Sequence, residues 1–374
     1  MKKKICLVTS VHTAFDDRIF HKQAKSLKNA GYQVILIAQH DKEEFVDGVK
    51  IIPLPRPKNR LERLTKTQWK ILKTTLKQDS SFFHFHDPEL IPTGLFLKLF
   101  FRKIVIYDLH EFVFADIEDK EWIQSKFVKK VIQFTYLFME RLSLVFFDHL
   151  VLARDDTETH LKNRHKKYNN HTVVKNFPIL SLINKAEPEL SLRQKKPIVF
   201  YAGLLSYDRG IETLIQSIEL VKDEAILWLL GKWENEEFKK KCESLRGWRN
   251  TKYFGVVPFN NVFNYMKSAS IGIFVPHAKK NFVTNLPIKT FEYMACSLPL
   301  VMSDFPYWRQ LFGEYAVFAN PYDPKDITEK IFNLLNNPSE MEEMGLKGKQ
   351  KVVSEYNWEF ESKKLLNLYK EFSA

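Results

Sequence analysis

The stretch of this chain with the most chemistry in it is residues 285–299, Asn-Leu-Pro-Ile-Lys-Thr-Phe-Glu-Tyr-Met-Ala-Cys-Ser-Leu-Pro. Pro287 is placed to open a helix, Lys289 falls in its first turn, and Glu292 follows one turn later. A helix N-terminus carries free backbone N–H groups and partial positive charge, which suits a diphosphate. Lys289 would add a full charge. Glu292 would accept hydrogen bonds from both hydroxyls of a ribose diol. The same spacing also fits an ordinary amphipathic helix with Glu292 in solvent, so the surrounding elements must decide.

Those elements alternate between strands and helices. In the first half, β-branched or aromatic runs mark strands at residues 5–10, 34–38, 49–54, 82–86, 104–108, 150–153 and 172–175, with helical periodicity between them at 18–28 and 61–77. The pattern restarts at 198–202 and continues through 226–230, 252–256, 272–276, 300–303 and 316–319. Such alternation implies parallel sheets with crossover helices, and it occurs twice. Around residues 177–197, Asn176-Phe177-Pro178, Glu187-Pro188-Glu189 and Lys195-Lys196-Pro197 interrupt the periodicity. The expected division is a first Rossmann-like domain over 1–180, a linker over 181–196, a second such domain over 197–355, and a terminal helix over 356–374 returning to the first.

Ligands of open parallel sheets bind outside the carboxyl ends of the strands. The unusual polar residues of this chain stand just there: Thr9-Ser10-Val11-His12, His86-Asp87 and Asp108-Leu109-His110-Glu111 in the first half, and Gly203, Gly231 and Pro276-His277 in the second. Two such edges facing each other would build one deep cleft.

Composition narrows the class. At 374 residues the chain is longer than one core usually supports, and 45% apolar with 27% charged residues is a globular balance. Cys6, Cys242 and Cys296 share no metal-ligand or redox spacing and read as thiols of a reducing compartment. The start, Met1-Lys2-Lys3-Lys4 before Ile5-Cys6-Leu7-Val8, reads as a first strand rather than a signal peptide. No run approaches the roughly 20 apolar residues of a spanning helix, so the expected location is cytoplasmic. A net charge of +12 suits an anionic partner. Basic residues do not interleave with aromatics in a nucleic-acid reader motif, which argues against that partner.

Taken together, the motifs resemble the retaining glycosyltransferases of the GT-B fold, in particular the glycosyl transferases group 1 (family 4-like) enzymes that build bacterial surface polysaccharides and lipid-linked glycans. Asp16-Asp17-Arg18-Ile19, His86-Asp87-Pro88-Glu89-Leu90 and Tyr107-Asp108-Leu109-His110-Glu111 look like the first domain of that group. Tyr201-Ala202-Gly203, Arg209-Gly210 and residues 287–299 look like its second. The resemblance covers nearly the whole chain and implies an α/β architecture of two doubly wound domains facing a cleft.

It also implies roles. Glu292 matches the ribose-binding glutamate and His110 the histidine that faces the donor sugar. Arg209 and Lys289 are the basic residues placed to meet the diphosphate. Gly203, Asn285, Leu286 and Pro287 join Glu292 on the donor side, and Asp17, Arg18, Asp87 and Glu111 lie on the acceptor side. Two positions depart from the pattern: Thr284 stands where a second glutamate is common, and Leu204 where a basic residue is common.

Residues 122–147 form a second informative region. On a helical wheel Lys126, Lys129, Lys130, Gln133, Glu140 and Arg141 share one side, while Ile123, Phe127, Val131, Phe134, Phe138 and Leu142 fill much of the rest. Residues 95–103 and the basic region 56–77 add apolar and cationic surface. Basic amphipathic helices favour anionic membrane surfaces; a core helix with a solvated basic stripe has the same pattern.

The expected function is therefore transfer of a sugar, with retention, from a nucleotide diphosphate sugar (a UDP-sugar) to a hydroxyl of a glycan or lipid-linked glycan. No metal or other cofactor is expected, and reversible contact with the anionic inner leaflet is. The alternatives are a nucleotide-sugar epimerase of similar fold and a non-catalytic sugar-nucleotide-binding partner subunit.

Overall fold

A computed structural model describes residues 3–109, 125–164, 170–189, 196–221, 224–284 and 286–372. The chain divides into two compact units, Met1–Asn176 with Glu359–Ala374, and Phe177–Trp358.

The first unit holds an eight-stranded sheet: β1 (Lys4–Thr13), β2 (Gln33–Gln39), β3 (Glu44–Val46), β4 (Val49–Leu54), β5 (Phe82–Phe85), β6 (Ile104–Leu109), β7 (His149–Leu152) and β8 (His171–Val173). Its order is β3-β4-β2-β1-β5-β6-β7-β8, and every pair is parallel except β3 with β4. Ile5 to Ser10 are all buried, as a central parallel strand covered on both faces requires. The antiparallel β3 was not read from the sequence. Its signal is Asp47-Gly48, whose φ angles of 52° and 77° make the tight left-handed turn that joins β3 to β4.

The second unit holds six parallel strands: β9 (Ile198–Ala202), β10 (Ile226–Leu230), β11 (Thr251–Tyr253), β12 (Ile271–Phe274), β13 (Leu300–Ser303) and β14 (Ala316–Ala319), in the order β11-β10-β9-β12-β13-β14. Trp228, Phe200, Tyr201, Tyr293 and Trp308 are wholly buried in its core, and burying each such side chain contributes about 1.5–3 kcal/mol. The segment expected as a linker begins inside this unit. A helix covers Leu180–Lys185, and Phe177, Ile183 and Ala186 pack in the second core.

The terminal helix Trp358–Glu371 packs within the first unit. Tyr369 is fully buried, its ring 5.0 Å from Phe82 and 5.7 Å from Tyr32, with its hydroxyl 2.7 Å from His84 Nδ1.

Candidate active site

Strand order locates the places where these sheets can bind ligands. In the first unit the chain winds outward from β1 through β2, then returns to the other side of β1 at β5. In the second it winds from β9 to β10 and β11, then returns beside β9 at β12. Diverging connections leave a crevice at the carboxyl ends of β1 and β5, and of β9 and β12.

The second unit's crevice gathers the basic residues. The loop after β9 starts at Gly203, whose φ is 148°, and a Cβ there would lie 1.6 Å from Lys289 Nζ. That positive φ favours glycine, and the tip of Lys289 uses the space a side chain would take. Lys289 Nζ donates to the Ala202 carbonyl and sits 5.4 Å above the Tyr201 ring. Arg209 ends a short turn, Tyr207–Arg209, that leads into Gly210 at φ 71°. A Cβ on Gly210 would come within 2.1 Å of the Val275 carbonyl oxygen, so only glycine lets this loop close against the end of β12. The Arg209 guanidinium then lies over Phe274 at 5.6 Å and Phe282 at 4.8 Å. Cation–π contacts of this kind hold the guanidinium in place.

Pro287 caps the helix Ile288–Ala295, with Thr290 N and Oγ1 donating to the Pro287 carbonyl at 3.1 Å and 2.6 Å. Leu286 and Glu292 are half-buried, while Leu204 and Thr284 are exposed. Burial and the like charge of Arg209 push the Lys289 ammonium down to about 7, against the opposing pull of Glu292. His277, one of the polar residues noted at the strand ends but given no role there, lies just beyond β12. It is buried between the rings of Tyr322 at 4.6 Å and Tyr207 at 4.7 Å, and burial pushes its imidazole down despite Asp208.

The depressed Lys289 predicts a pH dependence with a definite sign. A bound diphosphate favours the charged lysine, so binding above neutrality must take up a proton. Affinity for UDP-glucose, a diphosphate without an ionisation of its own in this range, should weaken as pH rises through about 7, by up to about tenfold per pH unit. Calorimetric titration of the wild type and Lys289→Met checks this. A slope that survives in Lys289→Met would assign it elsewhere.

In the first unit, Asp87 follows β5 and is buried at the crevice, where Thr9 Oγ1, Ser10 N and Ser10 Oγ donate to its Oδ2 at 2.9, 2.6 and 3.2 Å. Asp17 and Arg18 have work elsewhere in the unit. Asp17 Oδ2 meets the wholly buried Lys22 Nζ at 2.6 Å, and both hold Asn176, at 3.2 Å and 2.7 Å. Arg18 pairs with buried Asp108 and donates to the Val174 carbonyl at 2.9 Å. These contacts anchor the segment through which the chain leaves the first unit. His84, His86 and Asp108 place metal-ligand atoms within 4.8 Å of one another, but the Arg18 guanidinium already occupies the carboxylate with a full positive charge. His110, Glu111 and Asn285 lie outside the described residues.

Comparison with known proteins agrees with this geometry. Residues 183–351 match the model of the glycosyl transferases group 1 family. Over 235 residues the chain is 23% identical to N,N'-diacetylbacillosaminyl-diphospho-undecaprenol alpha-1,3-N-acetylgalactosaminyltransferase of Campylobacter jejuni, covering 58% of each chain. It is 26% identical over 178 residues to O-antigen chain mannosyltransferase B of Escherichia coli, covering 46% of this chain and 45% of that one. The matches thus span about half the length of these curated relatives. Among solved structures, sucrose-phosphate synthase of Thermosynechococcus elongatus superposes with a TM-score of 0.75 at 17% identity over 99% of both chains. HepE of Anabaena in complex with UDP-glucose does so with a TM-score of 0.73 at 12% identity over 99% of both. The fold is GT-B, with two parallel-sheet Rossmann-like domains.

Proposed function

We propose that this chain, whose residues 183–351 make up a glycosyl transferases group 1 domain within a GT-B fold, moves a sugar from a nucleoside diphosphate sugar to a hydroxyl of a glycan or lipid-linked glycan. The observation that carries the reading is the pair of cations at the β9–β12 crevice: Arg209, from the turn Tyr207–Arg209, and Lys289, on the helix start that also bears Glu292.

The reaction follows from that charge arrangement. When the bond between the anomeric carbon and phosphate breaks, its electron pair leaves with the nucleoside diphosphate. The sugar becomes oxocarbenium-like, and the phosphate gains negative charge. Arg209, Lys289 and the N–H groups at the start of Ile288–Ala295 neutralise that charge as it develops. The acceptor oxygen forms the new bond, and its proton passes to the departing phosphate, so no carboxylate nucleophile is required and configuration is retained. The two side-chain cations supply the neutralising charge, and the proposed reaction has no obligatory metal.

The donor we assign is a UDP-sugar, supported by the UDP-glucose held by the structural neighbour HepE. The acceptor we assign is a lipid-linked glycan, supported by the diphospho-undecaprenol substrate in the name of the Campylobacter relative. No helix among the described residues is long and apolar enough to cross a membrane. The enzyme would meet such an acceptor from an anionic bilayer surface, through the first unit.

Ligand-induced stabilisation by UDP, GDP and dTDP tests the donor assignment, because a ligand that binds only the folded state raises its melting temperature. Glu292→Gln should weaken binding of the stabilising nucleotide by about 1.5–3 kcal/mol, since the ribose diol loses a charged acceptor. An unchanged dissociation constant in a folded variant would remove Glu292 from the site. Formation of a glycoside product separates transfer from epimerisation, and turnover of any kind separates the enzyme from a binding subunit.

A further inference from the structure

Of the two cations at the second unit's crevice, Arg209 owes its place to the loop that carries it. Lys289 is tied to the Ala202 carbonyl. The Arg209 guanidinium makes no ion pair among the described residues and is flanked by the rings of Phe274 and Phe282. Its position therefore follows that of the turn Tyr207–Arg209. Successive residues fasten this turn to the loop after β12. The Asp208 carbonyl accepts from His277 N at 2.9 Å, and the Asp208 carboxylate meets Lys279 Nζ at 2.5 Å. The next contact is between rings, where Tyr207 stands edge-on to the His277 imidazole at 4.7 Å and 73°.

His277 is gripped in turn by Tyr322, which stacks on it at 4.6 Å and 20°. The Tyr322 hydroxyl accepts from Ala278 N at 2.9 Å. Tyr322 N donates to Asn320 Oδ1 at 3.0 Å, and Asn320 N to Asp326 Oδ2 at 2.6 Å, on the helix Pro324–Leu335. A run of contacts thus leads from that helix through Tyr322 and His277 to the turn bearing Arg209. His277 is 4% exposed, yet its Nε2 has no hydrogen-bond partner among the described residues. Burial disfavours the charged imidazole and pushes its pKa down. A neutral ring with an idle nitrogen contributes here as a flat plate between two tyrosines, not as a proton carrier.

We infer that His277 is a positioning residue for the donor diphosphate: its ring fixes Tyr207 and so places the Arg209 guanidinium where phosphate charge develops. The inference rests on the reading of Arg209 as a diphosphate ligand and names what aims that arginine.

Titration with UDP, followed by calorimetry, and with uridine, followed by saturation-transfer NMR, tests it, because only UDP carries the group that Arg209 meets. His277→Ala removes both ring contacts and should weaken UDP about tenfold while uridine stays within about twofold. His277→Phe keeps the plate and should hold UDP within about threefold of wild type. In an Arg209→Ala background, His277→Ala should add less than about twofold, since no guanidinium is left to aim. Tyr322→Ala, at an exposed ring, should weaken UDP about threefold without touching uridine, and it carries the test should His277→Ala fail to fold. Equal losses of UDP and uridine would overturn the inference, as would a full His277→Ala effect in the Arg209→Ala background. A wild type that binds UDP, with His277→Ala or Tyr322→Ala binding it equally well, would remove His277 alone and leave the donor site. A wild type that binds none of UDP, GDP and dTDP would remove the diphosphate itself, and the transfer reading would fall with this one.

Discussion

Vesicles containing anionic lipid should carry this protein into the pellet at low salt and release most of it at high salt. The expectation comes from how the helix Lys126–Phe146 is mounted. Its buried positions are Glu140 and Ser143, whereas Phe127 and Phe134 are more than 70% exposed and Val131, Phe138 and Val145 are exposed beside them. A helix held only by a core would turn those rings inward. The neighbouring helix Ile91–Phe101 packs against it and leaves Phe96, Leu99, Phe100 and Phe101 exposed in the same way. Lys126, Lys130 and Arg141 are exposed along the first helix, and Lys129 half so. Apolar rings rimmed by cations are complementary to an anionic bilayer, which accepts the rings at its acyl boundary and the charges at its headgroups.

The magnitude can be set in advance. Each lysine near an anionic surface contributes about 1 kcal/mol, and reversal removes that attraction and adds a similar repulsion. Lys126, Lys129 and Lys130→Glu together should therefore cost about 6 kcal/mol at low salt, a fall in vesicle partitioning of about 10⁴-fold. Phe127→Ser with Phe134→Ser should instead remove the binding that survives high salt. Co-sedimentation with anionic and with neutral vesicles decides the matter. A wild type that stays in the supernatant at low salt, or binds both vesicle types equally, would leave these cations as a solvated face.

The sequence resolved some of this structure and not the rest, for identifiable reasons. Parallel strands buried on both faces are continuous apolar runs, so β1, β2, β9 and β10 stand out from single-sequence patterning. The helix start in the second unit was legible because Pro287, Lys289 and Glu292 follow one another at helical spacing, where spacing alone carries geometry. The orientation of Lys126–Phe146 was not legible. That helix has apolar residues on more than one side, and only its mounting shows that the phenylalanines face outward. Least legible was the first unit's polar network, because its partners are far apart in sequence. His84 meets Tyr369 across 285 residues, and Arg18 meets Asp108 across 90. The carboxylate of Asp16 was quoted as part of a motif, but its capping role and its grip on His12 required the helix that follows it.

Arg18 gives the sharpest test of how such a motif should be read, since the same residue was expected on the acceptor side. In the structure it is 5% exposed and Asp108 is wholly buried. Arg18 Nε donates to Asp108 Oδ2 at 3.1 Å and Nη2 to Oδ1 at 3.1 Å, while Gln23 Nε2 donates to Oδ2. Arg18 Nη1 holds the Val174 carbonyl, two residues before the chain leaves this unit. Removing the arginine leaves a buried carboxylate without its counter-charge and a backbone carbonyl without its donor. Breaking one partner of a buried pair typically costs about 3–5 kcal/mol, so Arg18→Ala should lower the melting temperature of the first unit by about 10 °C. Asp108→Asn in the same chain removes the orphaned charge and should recover much of that loss, because a buried ion pair and a neutral replacement often differ little in stability. Calorimetric melting of the single and double variants, with nucleotide present to mark the second unit, separates the two transitions. Equal destabilisation of single and double variants would show that Arg18 acts through packing. A single variant of wild-type stability whose KM for the acceptor had risen would return Arg18 to the acceptor.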